Sequence, residues 1–503
     1  MKRGLASVCL VAMVLTVAGE NVLAEQPSSQ DSLDIGSQLE PFVDDYLIED
    51  LEGLDLRVHR PREEEKVLHF DRPWEGNIPY FVNIYRDGDI YRMNYRGRSA
   101  PDYVIQEELE PGEEVMPTHE EVACYAESRD GIRWVRTSLG QVEFRGSRDN
   151  NILDLKGASR FVPFKDANPQ APAESRYKAV AYTKRGEKPG LVPLHSPDGL
   201  HWKWMRPEPV ITDGYFDSQN VAFWDGERGI YVALYRDFKS GIRTLKYATS
   251  SDFVQWSTGR WVDYGEAPRE HLYTNATVPY FRAPHLFLAF PNRFSPWRIP
   301  MHLRPGRGGE RETEGPNKTG ISDTVFMSSR DGLHWYRFLE AFIRPGRDRR
   351  NWIHRNNLVG RGMVATGPDE LSLYVIRHYT YPTAHLLRVS VRTDGFASLH
   401  AGYPGGEMVT KPLIFQGSKL ILNYSTSAAG SIQSEIQDAN GHPIPGFSLQ
   451  DCIPIWGDEI EGRARWNHPT SQTDQHPLKR LAGTTVRLRF VMKDADLYSL
   501  RFR

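Results

Sequence analysis

Three cysteines in 503 residues are too few for a disulfide framework, and Cys9 falls in the leading apolar segment. Cys124 and Cys452 stand far apart and read as two buried thiols in preference to one long-range bridge. Neither belongs to a Cys/His group with zinc-ligand spacing. Charge of one sign is also lacking: 62 Lys and Arg are interspersed with 65 Asp and Glu for a formal net charge of -3. No field therefore favours a nucleic acid or an anionic membrane as partner. Beyond the leading segment no apolar run reaches the length of a membrane span. Amphipathic helical patterns of useful length are missing, as are a phosphate loop, a nucleophile elbow and a dinucleotide fingerprint at a strand-to-helix step.

What is present begins with a leader. Met1, Lys2 and Arg3 precede the apolar run Leu5 to Val17, and Val22-Leu23-Ala24 forms a small-residue exit before Glu25. This pattern predicts a signal peptide over 1–24 and export to the periplasm or the exterior. Residues 25–37, rich in Gln, Ser and Asp, read as a flexible leader. Aromatics make up 11% of the chain, with 12 Trp and 23 Tyr. Such side chains suit strands and also offer flat faces to sugar rings.

A short motif recurs: Ser128-Arg-Asp130-Gly131-Ile-Arg-Trp134, Ser196-Pro-Asp198-Gly199-Leu-His-Trp202 and Ser329-Arg-Asp331-Gly332-Leu-His-Trp335. Ser250-Ser-Asp252-Phe253-Val-Gln-Trp256 lacks the glycine, and Arg392-Thr-Asp394-Gly395-Phe396 lacks the tryptophan. The aspartates are 68, 54, 79 and 63 residues apart, a blade-sized repeat with insertions. Asp-Gly supplies the positive φ of a turn, and Trp begins the returning strand. Strand-like stretches precede each copy: Ile90 to Tyr95, Tyr177 to Tyr182, Tyr231 to Tyr235, His285 to Phe290 and Leu371 to Ile376. The prediction is an all-β chain, with a five-bladed β-propeller over 38–404 and a β-sandwich over 405–503. Leu420 to Tyr424, Ser431 to Gln437, Thr485 to Met492 and Asp496 to Phe502 are the sandwich strands. Arg304 to Lys318 reads as a surface loop.

This pattern resembles the five-bladed propeller glycoside hydrolases of families 32 and 43, in which an S-x-D-G-x-x-W hairpin recurs and a sandwich often follows. Phe42-Val43-Asp44-Asp45-Tyr46-Leu47-Ile48 and Pro73-Trp74-Glu75-Gly76 also resemble a group of secreted bacterial family-32-like proteins. The resemblance implies a carbohydrate substrate. The family-32 signature W-M-N-D-P-N-G is absent, so no catalytic residue is carried over by motif.

The first strand of each blade lines a propeller's channel, so polar residues at the leading ends of these strands converge on one funnel. The expected leading ends are Trp74-Glu75-Gly76-Asn77, Asn150-Asn151, Asp217-Ser218-Gln219-Asn220, Glu270-His271-Leu272-Tyr273-Thr274-Asn275 and His354-Arg355-Asn356-Asn357. Glycoside hydrolysis uses two carboxyl groups. Glu270 is the expected acid, Asp217 the nucleophile or base, and Glu75 the group that orients substrate or tunes a pKa. Trp74, Asn77, Gln219, Asn220, His271, Tyr273, Asn275, Arg293, Arg355, Asn356 and Asn357 are the expected sugar-binding set, with Arg293 and Arg355 able to grip a uronate or sulfate. His271, Tyr273 and Arg355 at one rim also suit a polysaccharide lyase, which removes the proton α to a uronate carboxylate. A non-catalytic glycan-binding propeller is the third reading. Asp44 or Asp45 either reaches the funnel or belongs to a strand closing the ring against blade five. No cofactor is called for, with a calcium ion in the channel left open.

Overall fold

The computed structural model describes residues 32–104, 109–185, 187–300, 320–467 and 477–503. The expected signal peptide and the Arg304 to Lys318 loop lie outside them. Five sheets radiate from an axis as the blades of a propeller, and further strands form a second, C-terminal domain.

Blade one consists of Tyr80–Asp87, Ile90–Ser99, His119–Ser128 and Ile152–Leu153. Blade two consists of Ser159–Lys165, Tyr177–Thr183, Gly190–Ser196 and Lys203–Trp204. Blade three consists of Val221–Asp225, Ile230–Lys239, Ile242–Ser250 and Arg260–Trp261. In blade four the two inner positions are each split, His271–Leu272 with Val278–Tyr280 and Ala283–Ala289 with Asn292–Ser295, before Ile321–Ser329 and Tyr336–Ile343. Blade five takes Leu358–Val359, Val364–Ala365, Glu370–Arg377 and His385–Arg392 from one stretch of chain, and its outer strand, Arg62–His69, from far upstream. That strand closes the ring. Asp44, read above as a funnel or closure residue, instead pairs with Arg330 of blade four, whose guanidinium lies 3.6 Å from the Tyr46 ring centre.

Every copy of the repeated motif follows a blade's third strand. In the first four copies Asp Oδ1 accepts hydrogen bonds of 2.7–2.8 Å from the backbone N–H groups two and three residues on. Trp Nε1 donates back to the turn carbonyl in each of them. Each turn then packs on the preceding blade. Tyr374 of blade five donates to Gly131 O at 2.6 Å, Arg92 of blade one to Asp198 O at 2.5 Å, and Phe253 meets Phe164 of blade two. In the fifth copy, Asp394 is buried and takes hydrogen bonds from Tyr280 and Arg282 of blade four. The motif is therefore a staple between blades as well as a turn. Gly332 shows why glycine recurs: its φ is +79°, and a Cβ there would lie 2.7 Å from the Tyr247 ring. Gly332→Ala is expected to lower the unfolding free energy by about 2 kcal/mol through backbone strain and displacement of that ring, read by urea denaturation.

The channel is filled. Arg361 is buried on the axis and donates to Thr277 O at 2.9 Å, Asn83 Oδ1 at 3.0 Å and Ala222 O at 3.5 Å. Burial pulls its guanidinium down to about 10. The position left open above for a calcium ion thus lies beside a cationic side chain. Among the described residues no group of three or more His, Cys, Asp or Glu is placed to hold a metal ion.

The C-terminal domain is not built from the C-terminal residues alone. Its spine is the antiparallel pair Leu420–Gln437 and Thr485–Phe502, each a single long strand where two shorter ones were expected. Leu33–Gly36, Glu40–Pro41, Ile48–Glu52 and Leu54–Val58 join it, and Ile35, Phe42 and Leu47 enter its core with Leu422, Leu488 and Phe490. Part of the expected leader is therefore strand, and the upstream chain contributes to both domains. Cys124 and Cys452 are free and buried.

Candidate functional site

The first expected leading end folds as a tight loop laid on blade one. Gly76, at φ +69°, lets this loop touch Arg98, whose carbonyl oxygen would lie 2.3 Å from a Cβ. The close approach carries Glu75 inward, where its side chain is 0% exposed. Its carboxylate accepts from Tyr95 Oη at 2.5 Å, Arg136 Nε at 2.7 Å, Arg136 Nη2 at 3.0 Å and the Arg72 N–H at 3.0 Å. A group so enclosed has no surface left for a substrate. Trp74 donates to Asn151 Oδ1, and Asn77 spans Ala100 and Thr380. Asn150 and Asn151 precede the outer strand of blade one, not the inner strand of blade two as expected.

Glu270 lies in an ion pair with Arg337 at 2.8 Å and with Arg293 at 3.6 Å, and Arg293 also clasps Asp323 at 2.7 Å. These arginines belong to the outer and second strands of blade four, so the pair binds blade four together. Gln219, Asn220, Asn275, Asn356 and Asn357 are buried, and their side-chain amides donate to backbone carbonyls. They satisfy polar backbone where the chain turns into each blade.

Asp217, Tyr273 and Arg355 do meet, in a cavity of about 180 Å³ at the mouth of the channel. Its other walls are Tyr80, Phe81, Arg96 and Arg98 of blade one, Tyr103 just beyond, Arg160 of blade two, and Tyr379 of blade five. Two β-bulges aim these side chains: the register shifts between Tyr80 and Asn83, and again between Ser159 and Val162. Phe81, Arg160 and Arg355 adopt positive φ of 51°, 50° and 56°. Backbone strain of this kind is tolerated where surrounding structure enforces it and gathers at functional sites.

The wall is cationic and phenolic. Arg96 lies 4.8 Å from the Tyr80 ring centre and 5.0 Å from that of Phe81, and its Nη2 donates to Tyr379 Oη at 3.3 Å. The Arg355 guanidinium also stands close enough to Tyr379 to feel its hydroxyl. Arg236, Arg243 and Arg355 surround Tyr273 at 5.4, 5.5 and 5.8 Å. Asp217 is ion-paired to Arg236 and stays 45% exposed, the one carboxylate on the cavity wall among the described residues. Tyr80 is 2% exposed and its hydroxyl has no partner; burial pushes its pKa well up, so it keeps its proton. Burial and the guanidiniums of Arg355 and Arg243 hold His354 down at about 3, leaving it neutral. His271 is lowered by burial and by Arg243. Its Nδ1 faces the Arg243 N–H and Nη1, both at 3.3 Å, so the imidazole proton sits on Nε2 and no free lone pair remains for a base.

The sequence reading therefore finds three wall residues, with His271 just behind, and misses Tyr80, Phe81, Arg96, Arg98, Arg160 and Tyr379. The usable signal was Arg96 and Arg98 at i and i+2, which share one face of a strand.

No family model matches the chain, and no curated protein matches it. Among solved structures it is similar to one described as a complex of BT0996 with RGII, at 11% identity and TM-score 0.41, over 66% of this protein and 93% of that one. It is similar to a beta-1,2-mannobiose phosphorylase from Listeria innocua at 13% identity and TM-score 0.41, over 66% and 96%. It is also similar to an N-acetylgalactosamine deacetylase from F. plautii at 11% identity and TM-score 0.38, over 70% and 96%. Such distant likeness carries nothing about chemistry.

Proposed function

We propose that this chain is an exported carbohydrate-active enzyme that cleaves an acidic glycan at the channel mouth by elimination. One observation carries the reading: phenols face guanidiniums in a cavity whose wall, among the described residues, holds a single carboxylate. A hydrolase with paired carboxyls needs two of them about 5–10 Å apart across the scissile bond, and the ion pairs of Glu75 and Glu270 engage both elsewhere.

Elimination needs a cation on the sugar carboxylate, a base for the proton α to it, and an acid for the leaving oxygen. Arg355 and Arg96 supply the first. Arg96 hydrogen-bonds Tyr379 Oη and the Arg355 charge stands beside it, so negative charge on that oxygen is met by two cations, and Tyr379 takes the role of base. Tyr80 keeps its proton and presents an unpartnered hydroxyl, which suits the acid. Tyr379, acting as its phenolate, takes the α proton onto Oη, the C–H electron pair becomes the new C=C bond, the C–O bond to the leaving sugar breaks, and Tyr80 protonates that oxygen; exchange of a proton with solvent by each phenol restores the starting state. No water or co-reactant is consumed.

The test is incubation with acidic and neutral polysaccharides, scoring unsaturated products by ultraviolet absorbance against reducing ends alone. Acidic chains are expected to give unsaturated ends, and Tyr379→Phe to slow their release at least about 100-fold with binding retained. Reducing ends without unsaturation, lost in Asp217→Asn, would establish hydrolysis instead.

A further inference from the structure

We propose that the cavity takes a glycan carrying two anionic groups on neighbouring positions, one held by Arg96 and Arg355 and the second by Arg243 beside Arg236. This rests on the reading of the channel mouth as the site for an acidic glycan, and it fixes which acidic glycans qualify.

Charge makes the first case. Arg96, Arg98, Arg160 and Arg355 line the cavity and Arg236 and Arg243 stand at its edge against Tyr273, whereas Asp217 pairs with Arg236 and Glu121 lies 3.7 Å from Arg96. Four guanidiniums are left without a carboxylate partner among the described residues. A half-buried cation without a counter-charge is costly, and one uronate carboxylate supplies a single negative charge. The balance calls for a second.

Position makes the other case. The guanidiniums form two groups about different rings. Arg96 covers Tyr80 and Phe81, while Arg236 and Arg243 cover Tyr273 and, at 5.1 and 5.2 Å, Phe238. Tyr80 and Tyr273 have ring centres 6.2 Å apart, with Arg355 reaching both Tyr273 and Tyr379. Each group keeps unused donors: Arg96 Nε and Tyr80 Oη on one side, Arg243 Nε on the other. Beyond the second group Tyr215, 54% exposed and edge-on to Phe238 at 5.2 Å, offers a face on which a further sugar can stack. Carboxylate and sulfate present the same oxygen geometry to a guanidinium, so either can be the second anion.

The experiment measures equilibrium binding to Tyr379→Phe, which holds substrate without cleaving it. The ligands are four matched oligosaccharides: neutral, with one uronate, with uronates on consecutive units, and with a uronate next to a sulfated unit. At least one doubly charged ligand is expected to bind ten or more times tighter than the singly charged one, and to lose affinity more steeply with added salt. Whichever of the two binds tighter identifies the second anion. Adding Arg243→Gln is expected to remove most of that tenfold gain and to weaken the singly charged ligand far less. Equal binding of singly and doubly charged ligands overturns the inference, as does an Arg243→Gln loss that is the same for both. Charge-ranked binding without any unsaturated product in the unmutated protein overturns elimination alone.

Discussion

Glu75→Ala is expected to cost about 3–5 kcal/mol of unfolding free energy and to leave little folded protein on heating. The carboxylate is wholly enclosed and takes four hydrogen bonds, two of them from Arg136. Removing it strands a half-buried guanidinium and a buried phenol, Tyr95, in one step. The size of the loss comes from what remains behind and not from the pair's own attraction, because desolvating two ions offsets much of that attraction. Glu75→Leu with Arg136→Met should therefore recover most of the stability. Urea denaturation of the single and double variants checks both statements. A Glu75→Ala protein with full stability and no activity would restore Glu75 as a chemical group.

Arg361→Met is the second large effect, expected at about 3 kcal/mol, since three acceptors on the axis lose their donor at roughly 1–3 kcal/mol each and a well-packed thioether returns part of it. The acceptors come from blades one, three and four, the last between the two segments of its inner strand, while Arg361 belongs to blade five. One guanidinium thus ties four of the five blades at their narrowest point. The same loss should loosen the cavity mouth, seen as a weaker affinity for acidic oligosaccharide in protein that remains folded. A more stable Arg361→Met protein would mean that the cost of burying the charge exceeds the worth of its bonds.

The propeller was legible because its signal is local and repeated: Asp and Gly at fixed offsets act through turn geometry, which needs no knowledge of distant chain. The division of the upstream chain between the two domains was not legible. Leu33–Gly36 pairs with Leu413–Phe415, and nothing in either segment names the other. At the site, polar residues ahead of inner strands were a sound guide to position and a poor one to role. Buried turns need amides for their carbonyls, so Asn77, Asn275 and Asn357 serve the backbone. Arg96 and Arg98 were missed because they stand on the second strand of blade one, beside a bulge in the inner strand, and Arg160 because it sits inside the bulged inner strand of blade two and not ahead of it. Bulges depend on pairing between strands, and pairing is what a single sequence does not display.

The closing strand has a consequence for how the chain is made. His69 must wait for His385, which is 316 residues later. At about 5–20 residues per second, synthesis leaves that strand without its partner for roughly 15–60 s. An unpaired strand edge is a template for misassociation. The sequence of this one, Arg62-Glu63-Glu64-Glu65-Lys66, is charged at five successive positions, and its carboxylates later meet Arg388 and Arg377 of blade five. The same charges that lock the ring keep its last piece hydrated on a ribosome-bound chain until the fifth blade emerges.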